Sequence, residues 1–231
     1  MNLIKKAADK PPNTPVQPPA HEQVYQTLRE QVLFGEMTPG QPVTIQGLTE
    51  SLGAGMTPVR EAIRRLISDG ALSFQGNRRV SVPELSPKDV EQLIFVRKTI
   101  ESDLARRAAI RITDAEISRL EHVDNALDAA IAAGDVPQYL ACNYRFHALL
   151  YVVADAPILA EFADRLWLRF GPSLRVVCGR MGTQNLPDRH KDMLDALRRG
   201  DPAATAHAMV QDIEQGMEQI AAVLPEPPAA N

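Results

Sequence analysis

The apolar positions of residues 59–67 fall at Val59, Ala62, Ile63, Leu66 and Ile67, the spacing of one buried helical stripe, while Arg60 and Arg64 stand together on another face. Thr57 is placed to cap this helix, and Pro58 suits its first turn, where a missing N–H is no loss. A shorter amphipathic stretch, 45–52, precedes it and stops at Gly53, a residue suited to a helix end. After a second stop at Gly70, short apolar runs at 71–74 and 80–82 flank Gln75-Gly76-Asn77-Arg78-Arg79, a hairpin with a basic tip. An earlier helix over 21–34, with Val24, Leu28 and Val32 on one stripe and Gly35 closing it, braces the unit. Two helices about a glycine-containing turn, followed by a basic hairpin, predict a winged helix-turn-helix over 21–83, with its second helix in the major groove and its wing on the phosphate backbone.

Beyond Pro83 and Pro87 the pattern changes to helical periods with no strand alternation as far as residue 223. The predicted helices are 87–111, 113–133, 136–153, 157–181, 187–199 and 202–223. Asp114, Asp135 and Asp201 stand near starts, Gly134 and Gly200 near stops, and Pro137 and Pro202 in first turns. The fold class is therefore mainly α: an N-terminal winged helix-turn-helix and, over 84–223, a C-terminal all-α antiparallel helical bundle. Residues 1–20 carry Lys5, Lys6 and Lys10 ahead of a run of prolines and read as a flexible arm, and 224–231 reads as a tail.

Composition changes this picture in three places. An apolar fraction of 45% over 231 residues can fill a core in each domain. A net charge of −4 argues against nucleic acid when taken globally, so charge has to be judged locally. Residues 21–83 hold six arginines and six acids, but five of those arginines, Arg60, Arg64, Arg65, Arg78 and Arg79, fall on the second helix or the wing, so a basic face can exist on a neutral domain. Two cysteines, Cys142 and Cys178, give no disulfide framework, and no apolar run is long enough for a leader or a membrane span; a cytoplasmic protein with no membrane partner is expected.

Pro39-Gly40, Leu48-Thr49-Glu50-Ser51-Leu52-Gly53, Thr57-Pro58-Val59-Arg60-Glu61-Ala62-Ile63-Arg64-Arg65-Leu66 and Asp69-Gly70 resemble the DNA-binding domain of GntR-type bacterial transcription regulators. The second half resembles the FCD-type ligand-binding domain of their FadR-like branch. The resemblance implies a homodimer on operator DNA, with Gln46, Gly55, Met56, Thr57, Arg60, Arg64, Gly76, Asn77, Arg78 and Arg79 at positions that meet it. It also exposes departures. Relatives carry Ser or Thr and then Arg where this chain has Gly55 and Met56, and an Arg where it has Gln46, which weakens the case for the family's GT/AC-centred operator.

In the bundle, Asn143 and His147 are four apart and share a helix face. In the family the resembling positions bind a divalent metal together with a later His and a third His on the last helix. Here Phe146-His147 and His190-Lys191-Asp192-Met193-Leu194 match, and Asp212 stands where the third His is usual. The resemblance thus implies Asn143, His147, His190 and Asp212 as ligands, a donor set suited to Zn, Ni or Mn. The alternative is a pair of bundle histidines hydrogen-bonded to Asn143 and Asp212 without metal. His207 is a rival for the last ligand, but five residues from Asp212 it points elsewhere.

Arg97 interrupts the stripe Val90, Leu93, Ile94, Glu101, Leu104 with a cation, and a buried guanidinium needs a partner. Glu101, four residues on, can pair with it; alternatively or in addition Arg97 grips an effector carboxylate by two parallel hydrogen bonds. The resemblance favours the second role, and Arg97, Glu101, Asn143, His147 and His190 are the residues expected around a small carboxylate; Arg169 and Arg175 are not assigned to it. A ligand-responsive regulator is the leading reading. A metal-dependent enzyme acting on an organic acid is the alternative, although no nucleophile motif, phosphate loop or His-Glu-x-x-His supports it.

Overall fold

A computed structural model describes residues 18–75, 79–182 and 189–224. The first helix, α1, runs Ala20–Leu33 and buries Val24, Tyr25, Leu28, Val32 and Leu33. Strand β1 (Pro42–Val43) leads into α2 (Ile45–Leu52), where the Thr44 hydroxyl accepts from Gly47 N at 3.0 Å and Gly53 closes the helix at φ 60°. Next come α3 (Met56–Ser68), β2 (Ser73–Gln75) and β3 (Arg79–Ser81). The sheet has the order β1-β3-β2, all antiparallel, with Val43 opposite Val80 and Phe74 also opposite Val80.

Two details differ from expectation. The cap of α3 is Gly55, not Thr57, and no side chain caps the helix; Thr57 lies inside the first turn, as Pro58 does. The strand β1 has only two residues and shows no alternation to read, so it became visible only through its pairing with β3. The wing strands lie closer to the tip than the apolar runs that marked them, β2 over Ser73–Gln75 and β3 over Arg79–Ser81, and Gly76, Asn77 and Arg78 lie outside the described residues, as do the arm at 1–17 and the tail from 225.

Helix α4 (Pro87–Arg111) opens with a reciprocal cap: Ser86 Oγ accepts from Asp89 N at 3.2 Å and the Asp89 carboxylate accepts from Ser86 N at 2.9 Å. Thr113 and Glu116 do the same for α5 (Asp114–Ala133), so Thr113 is the cap and not the first helical residue. Helices α6 (Val136–Val153), α7 (Pro157–Met181), α8 (His190–Arg198) and α9 (Pro202–Val223) complete the described bundle. Pro187, the expected start of α8, is not among the described residues. The long helix α4 lies along α9 and also touches α6 and α7, while α5 and α8 close the other side.

The winged-helix unit sits on the bundle through α1 and α7. Gly171 makes the approach possible: a Cβ there would meet the Leu33 carbonyl oxygen at 2.4 Å. Around this contact Arg29 donates to Asp164 Oδ1 at 2.5 Å and to Tyr144 Oη at 3.2 Å, and Tyr144 itself donates to Asp164. Arg169 lies against Gly70 and Arg175 against Gly35, which puts both of these arginines at the junction with the winged helix.

Candidate functional site

On the winged helix, Met56 begins α3 with 56% of its surface exposed, and Thr57, Arg60 and Arg64 are exposed along the same helix. Neither Arg60 nor Arg64 makes an ion pair among the described residues, so both guanidinium groups are available. Arg65 is not. It pairs with Glu22 at 2.6 Å and lies 3.6 Å over the Tyr25 ring, bracing α3 against α1. Gln46 is exposed and donates to Glu50 at 3.0 Å; Gly55 and Arg79 are exposed as well. The arginine cluster read from the sequence is thus reduced by one on the described surface.

In the bundle, α6, α8 and α9 bring His147, His190 and Asp212 together, with one donor atom from each lying within 4.8 Å of the others. His147 Nε2 is 3.2 Å from Asp212 Oδ2, and Arg189 N donates to Asp212 Oδ1 at 3.3 Å. Burial opposes ionisation of Asp212, but its hydrogen bond with His147, its electrostatic interaction with both imidazoles and the Arg189 backbone N–H outweigh this and hold the carboxyl well below the usual carboxylate range. Asn143, one turn before His147, lines the same cavity as His147 and Asp212. His207 is exposed on α9 and outside the cluster.

Arg97 also lines that cavity, together with Trp167 and Phe170. Its Nε donates to Glu101 Oε1 at 2.6 Å and its Nη2 to Oε2 at 3.1 Å, while its Cζ stacks 4.0 Å from the Phe170 ring centroid. Glu101 is completely buried behind it and accepts a further bond from Tyr151 Oη at 2.6 Å. The pairing with Glu101 is thus present; it uses Nε and Nη2 and leaves further guanidinium N–H groups outside that pair. Burial, with the Glu101 charge adding to it, pushes the Tyr151 phenol well above its usual range, so it remains a donor.

Sequence reasoning missed Asp124. Its carboxylate is 1% exposed, Oδ1 lies 3.2 Å from His190 Nδ1, and Oδ2 accepts from Lys191. Burial works against its charge, and the bonds from His190 and Lys191 overcome that to lower its pKa. The clue was present in the stripe Ile117, Leu120, Val123, Asp124, Leu127, where an acid interrupts an apolar face just as Arg97 does on α4. Trp167 and Tyr151 were also missed; Trp167 Nε1 donates to Tyr151 Oη at 3.1 Å.

The fold agrees with what comparison reveals. The family described as "Bacterial regulatory proteins, gntR family" matches residues 20–82, and the FCD domain matches residues 92–215. The Escherichia coli (strain K12) transcriptional regulator McbR is 28% identical over 84% of this chain and 90% of its own length. The transcriptional repressor RspR of the same strain is 26% identical over 87% and 89%. The solved structure of E. coli McbR/YncC superposes with a TM-score of 0.83 at 27% identity, covering 89% of this chain and 99% of that one. These relatives are regulators, which decides between the regulator and the metal-dependent enzyme. No helix among the described residues is long and apolar enough to cross a membrane. The chain belongs to the GntR family of bacterial regulatory proteins, in the group with an FCD domain, and is a transcriptional regulator.

Proposed function

We propose that this regulator binds operator DNA as a homodimer and senses a small carboxylate at a divalent metal held by Asn143, His147, His190 and Asp212. The observation that supports the reading is the clustering of the buried His147 and His190 imidazoles with the Asp212 carboxylate, two of which, His147 and Asp212, line a cavity that Arg97 and Asn143 also line. His147 Nδ1 is buried without a hydrogen-bond partner, and Asp212 is poised as an anion beside His147 Nε2, so the residues fit a Zn-, Ni- or Mn-type ion of mixed nitrogen and oxygen donors. Such an ion would supply open positions for carboxylate oxygens, and the free edge of Arg97 would orient the same group. The space open to water-sized groups is about 30 Å³. A water occupies on the order of 10–15 Å³ by this measure, which favours a very small effector or a cavity that widens on binding. Glu101, expected from the sequence among the effector-binding residues, has its carboxylate engaged by Arg97 and Tyr151 and does not line the cavity, so in this reading it supports Arg97.

Replacing His147 and His190 with Ala is expected to abolish stoichiometric metal while leaving the protein helical, measured by elemental mass spectrometry and far-ultraviolet circular dichroism. Wild-type metal content in the double variant would assign the ligands elsewhere.

For the DNA side, α3 offers Met56, Thr57, Arg60 and Arg64 to the major groove, with Gly55 and Gln46 beside it and the wing around Arg79 on the backbone. Twofold protein symmetry then requires a near-palindromic site. Exposed Phe95, Ile110, Val152, Ile158 and Phe162 on the bundle support burial against a second copy. Sedimentation is expected to give a dimer at micromolar concentration; a monomer both with and without DNA would overturn it.

A further inference from the structure

We propose that Asp124, held by Lys191, is a positioning residue that fixes the tautomer of His190 and so presents the Nε2 lone pair toward His147 and Asp212. The proposal deepens the metal-site reading above and rests on it for its consequence, though not for its test.

His190 is the first residue of α8 and is completely buried. The Phe146 ring lies parallel to its imidazole, at 3.9 Å between centroids and 6° between planes. Stacking fixes the plane of the imidazole but not its identity within that plane, because a half-turn about the Cβ–Cγ bond exchanges the two edges of the ring and leaves the plane unchanged. Something else has to decide which edge of the ring faces His147 and Asp212. The Asp124 carboxylate, 3.2 Å from Nδ1, breaks the symmetry.

The direction of this bond follows from the other side of Asp124. Lys191 donates to Asp124 Oδ2 and reaches Asp128 Oδ2 at 2.8 Å, so a cation occupies the second oxygen of a carboxylate that is itself buried. An ionised carboxylate only accepts, hence Nδ1 carries the proton and Nε2 is left with its lone pair. A carboxylate behind a ligating imidazole orients the ring and makes it a better donor, and loss of such a partner typically weakens metal binding by about 10–100-fold. Lys191 and His190 are adjacent in sequence, so the first turn of α8 delivers the ligand and the clamp on its orienting acid together.

The test is Asp124→Asn in the full-length protein. An asparagine keeps the shape, but Lys191 claims its carbonyl oxygen, so its amide donates to His190 and the proton is expected to move to Nε2. Long-range proton–nitrogen spectra of histidine-labelled, metal-free protein should show His190 protonated at Nδ1 in the wild type and at Nε2 in the variant. Titration with Zn²⁺ and with Ni²⁺ should show about 10–100-fold weaker binding for the variant. Wild-type protein with His190 protonated at Nε2 overturns the proposal, and so does a variant that keeps both the wild-type tautomer and the wild-type affinity. The wild-type spectrum alone decides the tautomer should the variant fail to fold. Wild-type protein that takes up neither ion while showing the Nδ1–H form would refute the metal reading and leave the role of Asp124 standing.

Discussion

Arg97→Ala is expected to remove about 3–5 kcal/mol from the stability of the protein, the cost typical of leaving one member of a buried ion pair without its partner. Arg97 is 3% exposed and Glu101 not at all, so among the described residues the remaining carboxylate would keep the hydroxyl of Tyr151 as its hydrogen-bond donor, with His147 Nδ1 3.8 Å away, in a site walled by Trp167 and Phe170. Removing the guanidinium also takes away its stacking on Phe170. This loss would obscure any role of Arg97 in gripping an effector, because weakened binding and weakened folding would appear together. Pairing Arg97→Met with Glu101→Gln separates them: a neutral amide needs no counter-ion and still accepts from Tyr151, so most of the lost stability should return. Urea unfolding of the three proteins measures both values. An Arg97→Ala protein that unfolds at the wild-type midpoint would show that Glu101 is not held as an anion by Arg97.

The same residue marks how far the sequence carried. Arg97 and Glu101 are four apart, so their pairing follows from helical geometry alone, and the interruption of an apolar stripe by a cation was enough to identify it. Tyr151 and Trp167 arrive from α6 and α7, and no local spacing reveals that they complete the network. The starts of α4, α6, α7 and α9 were legible because a proline stands in the first turn of each, preceded in α6 and α9 by a capping Asp135 or Asp201. Thr57 misled for an instructive reason: threonine before proline satisfies the local pattern of a cap, yet the chain enters the helix two residues earlier through Gly55. Strand β1 exists only because Val43 meets Val80 far along the chain. At the candidate metal site Asn143 and His147 were joined by spacing, whereas His190 and Asp212 came from the family pattern; Asp124, outside that pattern, was accessible only as an acid on an apolar stripe.

The second large effect is expected in DNA specificity, where Met56→Arg should strengthen binding to the GT/AC-centred operator of the family by roughly 1–3 kcal/mol, the discrimination supplied by one arginine bidentate to guanine. The wild-type chain presents at this point an exposed methionine on the first residue of α3, preceded by a glycine with no side chain to offer. Methionine has no donors for guanine O6 and N7. Gln46, at the position of another usual contact, is already engaged with Glu50, and Arg65 is turned back onto Tyr25 and Glu22. Arg60 and Arg64 remain exposed along α3, so affinity for phosphate persists while one base contact is lost. Selection from random DNA should therefore enrich a half-site other than the GT/AC form for the wild type and shift toward it for Met56→Arg. Arg60→Ala should weaken binding to either. Enrichment of the family operator by the wild-type protein, unaffected by Arg60→Ala, would mean that α3 does not read the groove through this face and that the proposed docking is wrong.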